Sequence, residues 1–90
     1  MTVDGTEELT VIEATLFPVP VQDEVTLRLG SPLRKSAIVA LYDGQGRQLT
    51  TEVMTTTQLA ITLDTFGLAA GLYTIQLTTE EARASWNFVK

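Results

Sequence analysis

Apolar and polar residues alternate along most of this chain with the two-residue period of half-buried β-strands. In residues 24–29, Val25, Leu27 and Leu29 share one face, while Glu24, Thr26 and Arg28 share the other. Leu59, Ile61 and Leu63 alternate with Gln58, Ala60 and Thr62 up to Asp64, and Tyr73, Ile75 and Leu77 alternate with Thr74, Gln76 and Thr78. In the last run, Ala82, Ala84, Trp86 and Phe88 oppose Arg83, Ser85 and Asn87. Ala37 to Tyr42 is nearly continuously apolar, which suits a central strand covered on both faces. Residues 47–53 are its expected hairpin partner, with Leu49 and Val53 as apolar positions around Thr51. A short strand at 14–17 runs into Pro18 and Pro20, which cannot donate to a ladder, so it belongs at an edge or a strand switch.

The punctuation between these runs supports the same picture. Tyr42-Asp43-Gly44-Gln45-Gly46-Arg47 predicts a hairpin in which the Asp43 side chain caps a turn and Gly46 takes the left-handed position after it. Gly30-Ser31-Pro32 marks another turn, and Glu80-Glu81 the tip of the last hairpin. Leu68-Ala69-Ala70-Gly71-Leu72-Tyr73 has the spacing of a tyrosine corner, in which a tyrosine at the start of a strand bonds back to the backbone just upstream. In that reading Leu68 plugs the end of the core. Gly71 provides a backbone conformation or a close approach that a Cβ would hinder, and Tyr73 buries its ring. An ordinary turn followed by a core tyrosine is the alternative. About seven short strands, with no stretch of helical period, point to one immunoglobulin-like Greek-key β-sandwich.

Composition narrows the function. The 90 residues contain no cysteine, so a single domain without disulfides must be held by its apolar core. That absence fits a reducing compartment or an exported domain that uses no disulfides. The net charge is −5, and among the six basic residues only Arg34 and Lys35 are adjacent. Nucleic acid is therefore not expected as a partner, since a phosphate backbone calls for clustered cations. No apolar run is long enough to span a membrane, and the polar, acidic start is not a secretory signal. Residues 1–13 carry Asp4, Glu7, Glu8 and Glu13 without a calcium-loop spacing and read as a linker ahead of a domain at 14–90.

With neither His nor Cys, and with Ser31, Ser36 and Ser85 outside any nucleophile pattern, no enzyme, metal or cofactor is expected. The pairs Asp23-Glu24 and Glu80-Glu81 are sequence neighbours, better suited to turns and edges than to acid–base work. A carbohydrate-binding module needs an aromatic platform. Trp86 is its candidate, with Tyr42 and Phe17 as companions, although the position of Trp86 beside Ala84 and Phe88 reads as a core row.

Four segments, in this order, carry a resemblance: Leu16-Phe17-Pro18-Val19-Pro20 with Asp23, Leu41 to Arg47, Leu68 to Tyr73, and Phe88-Val89-Lys90. From about Leu16 to Lys90 the chain resembles the C-terminal sorting domains of proteins exported by the type IX secretion system of Bacteroidetes. It departs from them at Val19, where members commonly carry Asn between the two prolines. The resemblance implies a non-catalytic rear module of a larger exported cargo. Its partners would be the outer-membrane translocon and a sortase that removes it within the preceding linker, and the cargo would reach the cell surface or medium through the periplasm. The signal-bearing positions it implies are Gly46, Arg47, Gly71, Tyr73, Phe88, Val89 and Lys90. The glycines and Tyr73 have a purely structural reading as well, whereas Arg47 and Lys90, as exposed charges near a turn and a terminus, are expected to contribute little to folding. An accessory carbohydrate-binding or spacer module is the alternative function, and exposed edge strands leave pairing into dimers open.

Overall fold

The computed structural model describes residues 12–18 and 22–90; the acidic arm at 1–11 and Val19, Pro20 and Val21 lie outside the described residues. Among the described residues seven strands form: β1 (Ala14–Phe17), β2 (Glu24–Leu29), β3 (Ala37–Tyr42), β4 (Gln48–Met54), β5 (Ala60–Asp64), β6 (Leu72–Thr78) and β7 (Arg83–Val89). A three-stranded sheet in the order β1-β2-β5 faces a four-stranded sheet in the order β4-β3-β6-β7, with antiparallel pairing throughout. The chain changes sheet between β2 and β3, between β4 and β5, and between β5 and β6. This is the expected sandwich.

Alternation places the core. Val25, Leu27 and Leu29 of β2 and Ile61 and Leu63 of β5 meet Val39 and Leu41 of β3 and Tyr73, Ile75 and Leu77 of β6, all buried. Tyr73 and Phe88 are cross-strand partners whose rings stack with centroids 5.5 Å apart. Trp86 is half-buried against this cluster on the same face as Phe88, so it belongs to the core row. Phe17 stands on β1 in the other sheet, and Tyr42 on the outer face of β3. The three rings therefore form no common platform.

Three expectations about faces need correction. On β4, Leu49 and Val53 are exposed and Met54 is fully buried, because the register sets Met54 opposite Ala37 and Val53 opposite Ile38. A one-residue offset exchanges the faces of a strand, and here it puts an Ile38–Val53 pair on the outside. β3 is central in its sheet, yet Ile38 is 55% exposed, so its outer face is only partly covered. Leu59 precedes β5 and is exposed; it contributes its carbonyl, which accepts the Leu29 N–H at 2.7 Å. Ile12 packs on the core, and the Glu13 carbonyl accepts the Gly30 N–H at 2.9 Å.

The corrected face of β4 gives a direct comparison. Met54→Ala is expected to cost about 2–5 kcal/mol, as for other buried long side chains. Val53→Ala should change stability by less than about 0.5 kcal/mol. Urea denaturation of the two variants measures both.

Candidate functional site

The strands define two poles. At one lie Ile12, Glu13, the β2–β3 loop and the β6–β7 hairpin; at the other lie the β3–β4 turn, the β5–β6 corner and the end of β7. All seven residues singled out by resemblance, Gly46, Arg47, Gly71, Tyr73, Phe88, Val89 and Lys90, fall at this second pole.

The corner is tied from several directions. The Tyr73 hydroxyl donates to the Ala69 carbonyl, which is the tyrosine-corner bond. Leu68 N–H donates to the Thr65 carbonyl at 3.1 Å, closing a turn. Thr65 is fully buried; its N–H donates to the Asp23 carbonyl at 2.9 Å and its hydroxyl to the Gln22 carbonyl at 2.7 Å, tying the corner to the lead-in of β2. A buried hydroxyl without such a partner would be destabilising, so Thr65 has a structural reason that its place in a turn conceals.

Lys90 completes the clasp. Gly71 and Lys90 exchange backbone bonds of 3.1 and 2.9 Å, continuing the β6–β7 ladder by one pair. The Lys90 Nζ then reaches back to donate to the carbonyls of Thr65 and Leu68, each at 2.7 Å. Lys90 is thus half-buried and engaged with the corner, contrary to the exposed, structurally idle charge expected from sequence. Two short charge-assisted bonds to carbonyls that end a turn hold that turn in place. At Gly71 the expected constraint is one of backbone conformation and not of close approach: a Cβ there would meet nothing within 4 Å, but its φ of 159° is a positive value that L side chains rarely adopt.

The β3–β4 turn is built around Asp43. One carboxylate oxygen accepts the Gln45 and Arg47 N–H groups, both at 2.9 Å, and the other accepts Arg47 Nε at 2.8 Å. Gly46 N–H donates to the Asp43 carbonyl at 3.0 Å, with Gly46 at φ 84°, the left-handed position expected. The Arg47 backbone N–H above all holds the Asp43 carboxyl below its ordinary value; desolvation, next in size, opposes it, and the Arg47 side chain and the Gln45 N–H add to the lowering. The carboxylate is screened by its own loop, while the Arg47 side chain is 76% exposed. A close approach does occur at Gly44, where a Cβ would lie 3.3 Å from the Leu72 carbonyl.

That contact joins turn and corner into one surface. Gly44 and Gly46 border a shallow groove with Tyr42, Leu72 and Thr74. Leu72 is paired with Val89, and both are more than half exposed, at 54% and 57%. Phe66, 76% exposed on the corner turn, adds a third apolar side chain to this pole. Among the expected residues, Tyr73, Phe88 and Lys90 hold the pole together, and Arg47 and Val89 are presented on it. Leu72 and Phe66 were not singled out, since an apolar residue beside a glycine reads as core until the register is known. Among the described residues no group of three or more acidic side chains is placed to hold a metal ion.

With this arrangement in view, comparison with known proteins identifies the class. The model of the secretion system C-terminal sorting domain matches residues 15–90, and the chain belongs to that family, the type IX sorting signals. Among solved structures, the chain is similar to a DUF3244 family protein with an immunoglobulin-like β-sandwich fold from Bacteroides vulgatus. The TM-score is 0.69 at 20% identity, covering 86% of this chain and 83% of that one, which establishes the fold. No curated protein matches significantly in sequence.

Two measurements probe the clasp and the turn. Tyr73→Phe removes one hydroxyl bond and should cost about 0.5–1.5 kcal/mol. Lys90→Met, which removes a charged donor, should cost about 1.5–3 kcal/mol. A domain of this size loses about 4–8 °C in Tm per kcal/mol, which thermal unfolding resolves. For Asp43, a folded-state carboxyl below the ordinary value contributes stability that is complete above pH 3.8 and lost as pH falls through the lowered value. The stability difference between wild type and Asp43→Asn should therefore be constant above that pH and shrink below it.

Proposed function

We propose that this domain is a non-catalytic address label at the rear of a larger exported protein. The outer-membrane translocon of the type IX system reads it after passage through the periplasm. A sortase then removes it by cleavage ahead of Ile12, leaving the cargo at the cell surface or in the medium. The observation that carries this reading is the family match over residues 15–90. We place the signal at the pole, a reading supported by Arg47, Leu72 and Val89 projecting from a surface whose shape Gly46, Gly71, Tyr73, Phe88 and Lys90 fix. A cargo joined ahead of Ile12 attaches at the opposite pole and leaves this surface clear. Exposed apolar residues on a braced frame, with a cation at the rim, are the chemistry of a docking surface.

The test is a secretion reporter: a signal peptide and a fluorescent protein ahead of residues 1–90, expressed in a type IX-competent bacterium. Deleting the last residues would also remove the Lys90 clasp, so exposed substitutions are the cleaner probe. Leu72→Glu and Val89→Glu should leave the domain folded by circular dichroism. They should also reduce surface or medium fluorescence by roughly tenfold or more, as a charge placed unpaired in a docking surface does. Unchanged export of both folded variants would contradict this location of the signal. Periplasmic retention of the unaltered reporter, in a host that exports another member of the family, would contradict the function itself.

A further inference from the structure

An arginine side chain carries five N–H donors in one plane, and which of them are occupied decides what it can still bind. On Arg47, Nε donates to Asp43 Oδ2 at 2.8 Å and Nη2 donates to Gln45 Oε1 at 3.4 Å. Both contacts lie along one edge of the guanidinium. The outer edge remains, where Nη1 and Nη2 each direct one N–H forward in parallel, and among the described residues no acceptor meets it. The side chain stands mostly in solvent, beside the β3–β4 turn.

Asp43 is fully occupied in holding it. Its Oδ1 accepts the Gln45 and Arg47 backbone N–H groups, which fixes the carboxylate to the loop, and its Oδ2 fixes the guanidinium. A long, exposed arginine otherwise samples many rotamers and loses that freedom on binding. Here the turn removes much of the freedom beforehand. Gly44 lies so close to the Leu72 carbonyl that a Cβ would stand 3.3 Å from it, so the turn is seated on β6 and the fork has a set direction relative to Leu72.

Two parallel N–H groups match the two oxygens of one carboxylate. A phosphate would match as well, so the surroundings decide between them. A phosphate-rich surface calls for clustered cations. At this pole Arg47 has no such cluster: Arg34 and Lys35 belong to the β2–β3 loop at the opposite pole, and the Lys90 Nζ is engaged with the Thr65 and Leu68 carbonyls. Glu24 and Asp64 stand opposite each other at this same end of the other sheet, which disfavours a polyanion further. Apolar neighbours point to protein, since Leu72 borders the groove beside the turn and, with Val89, is exposed.

Taking the pole as the recognised surface, as proposed above, we infer that Arg47 binds a single carboxylate, an aspartate or glutamate side chain of the protein that reads the domain, through two parallel bonds from its outer edge. Apolar side chains bordering that carboxylate meet Leu72 and Val89. Asp43 is the positioning residue: it touches no partner and acts by aiming Arg47.

The secretion reporter tests this, with Leu72→Glu as the control for the surface itself. Arg47→Lys keeps the charge and loses the fork. It should shift Tm by less than about 4 °C, as an exposed substitution does, and reduce export by roughly tenfold, the effect of losing one charge-assisted bond. Asp43→Asn should reduce export by about threefold through release of the arginine, and should add nothing in a chain that already carries Arg47→Lys. Should Asp43→Asn fail to fold, Gln45→Ala, which removes the bond to Nη2, takes its place. The purified wild-type chain should not sediment with vesicles of anionic phospholipid. Full export of Arg47→Lys, with Leu72→Glu retained, overturns the inference and leaves the pole as the signal, whereas full export of both overturns the pole with it. Losses that multiply in the double variant overturn the positioning role of Asp43. Vesicle binding that Arg47→Lys abolishes overturns the inference too, since it assigns the fork to phosphate.

Discussion

The fold depends most on one set of backbone carbonyls at the β5–β6 corner. A chain that crosses between sheets leaves carbonyls outside any ladder, and polar groups left without partners inside a protein are costly. Here Ala69 is answered by the Tyr73 hydroxyl, and Thr65 and Leu68 by the Lys90 ammonium. Thr65 binds in turn to the backbone of Gln22 and Asp23, in front of β2. One short segment thus connects the three-stranded sheet, the start of β6 and the end of β7. Among the described residues, the bonds of Thr65 to Gln22 and Asp23 link the two sheets at this pole.

That constraint also explains how a small domain can present apolar side chains without collapsing around them. Leu72 and Val89 stand on strands whose next residues, Gly71 and Lys90, are bonded to each other and to the corner. The Asp43 turn reaches the same surface through the contact of Gly44 with the Leu72 carbonyl. Rigid positioning lowers the ordering cost of docking. On the proposed reading, the sorting signal is a shape that the folded pole displays, assembled from three separate stretches of chain. It would be lost by local unfolding even with every residue of the signal still present.

Much of this was legible in the sequence where local chemistry is decisive. Alternation placed β2, β6 and β7, the Leu-x-x-Gly-x-Tyr spacing marked the corner, and Asp43 with Gly46 specified their turn. Even the pairing of Gly71 with Lys90 is implicit in a two-residue tip at Glu80-Glu81, which sets every pair of the last hairpin. What escaped was decided by partners far away in the chain. Val53 and Leu49 look like a core row until Met54 is seen opposite Ala37. Thr65 looks like loop chemistry until the lead-in of β2 supplies its acceptors. Lys90 looks like a free charge, because no local pattern shows a lysine folding back over a turn more than twenty residues upstream.

The measurement that bears most directly on the corner is native-state hydrogen exchange of wild type and Lys90→Met, compared amide by amide. Lys90 Nζ bonds to Thr65 and Leu68 carbonyls, whereas the amides to watch are those of Thr65, Leu68 and Gly71, none of which the substitution touches covalently. If the clasp unites the two sheets, all three lose protection together, including Thr65, whose acceptor belongs to Asp23 ahead of β2. Loss of protection confined to residue 90 and its immediate neighbours, with Thr65 and Leu68 unchanged, would contradict a shared clasp and leave the corner resting on Tyr73 and the core.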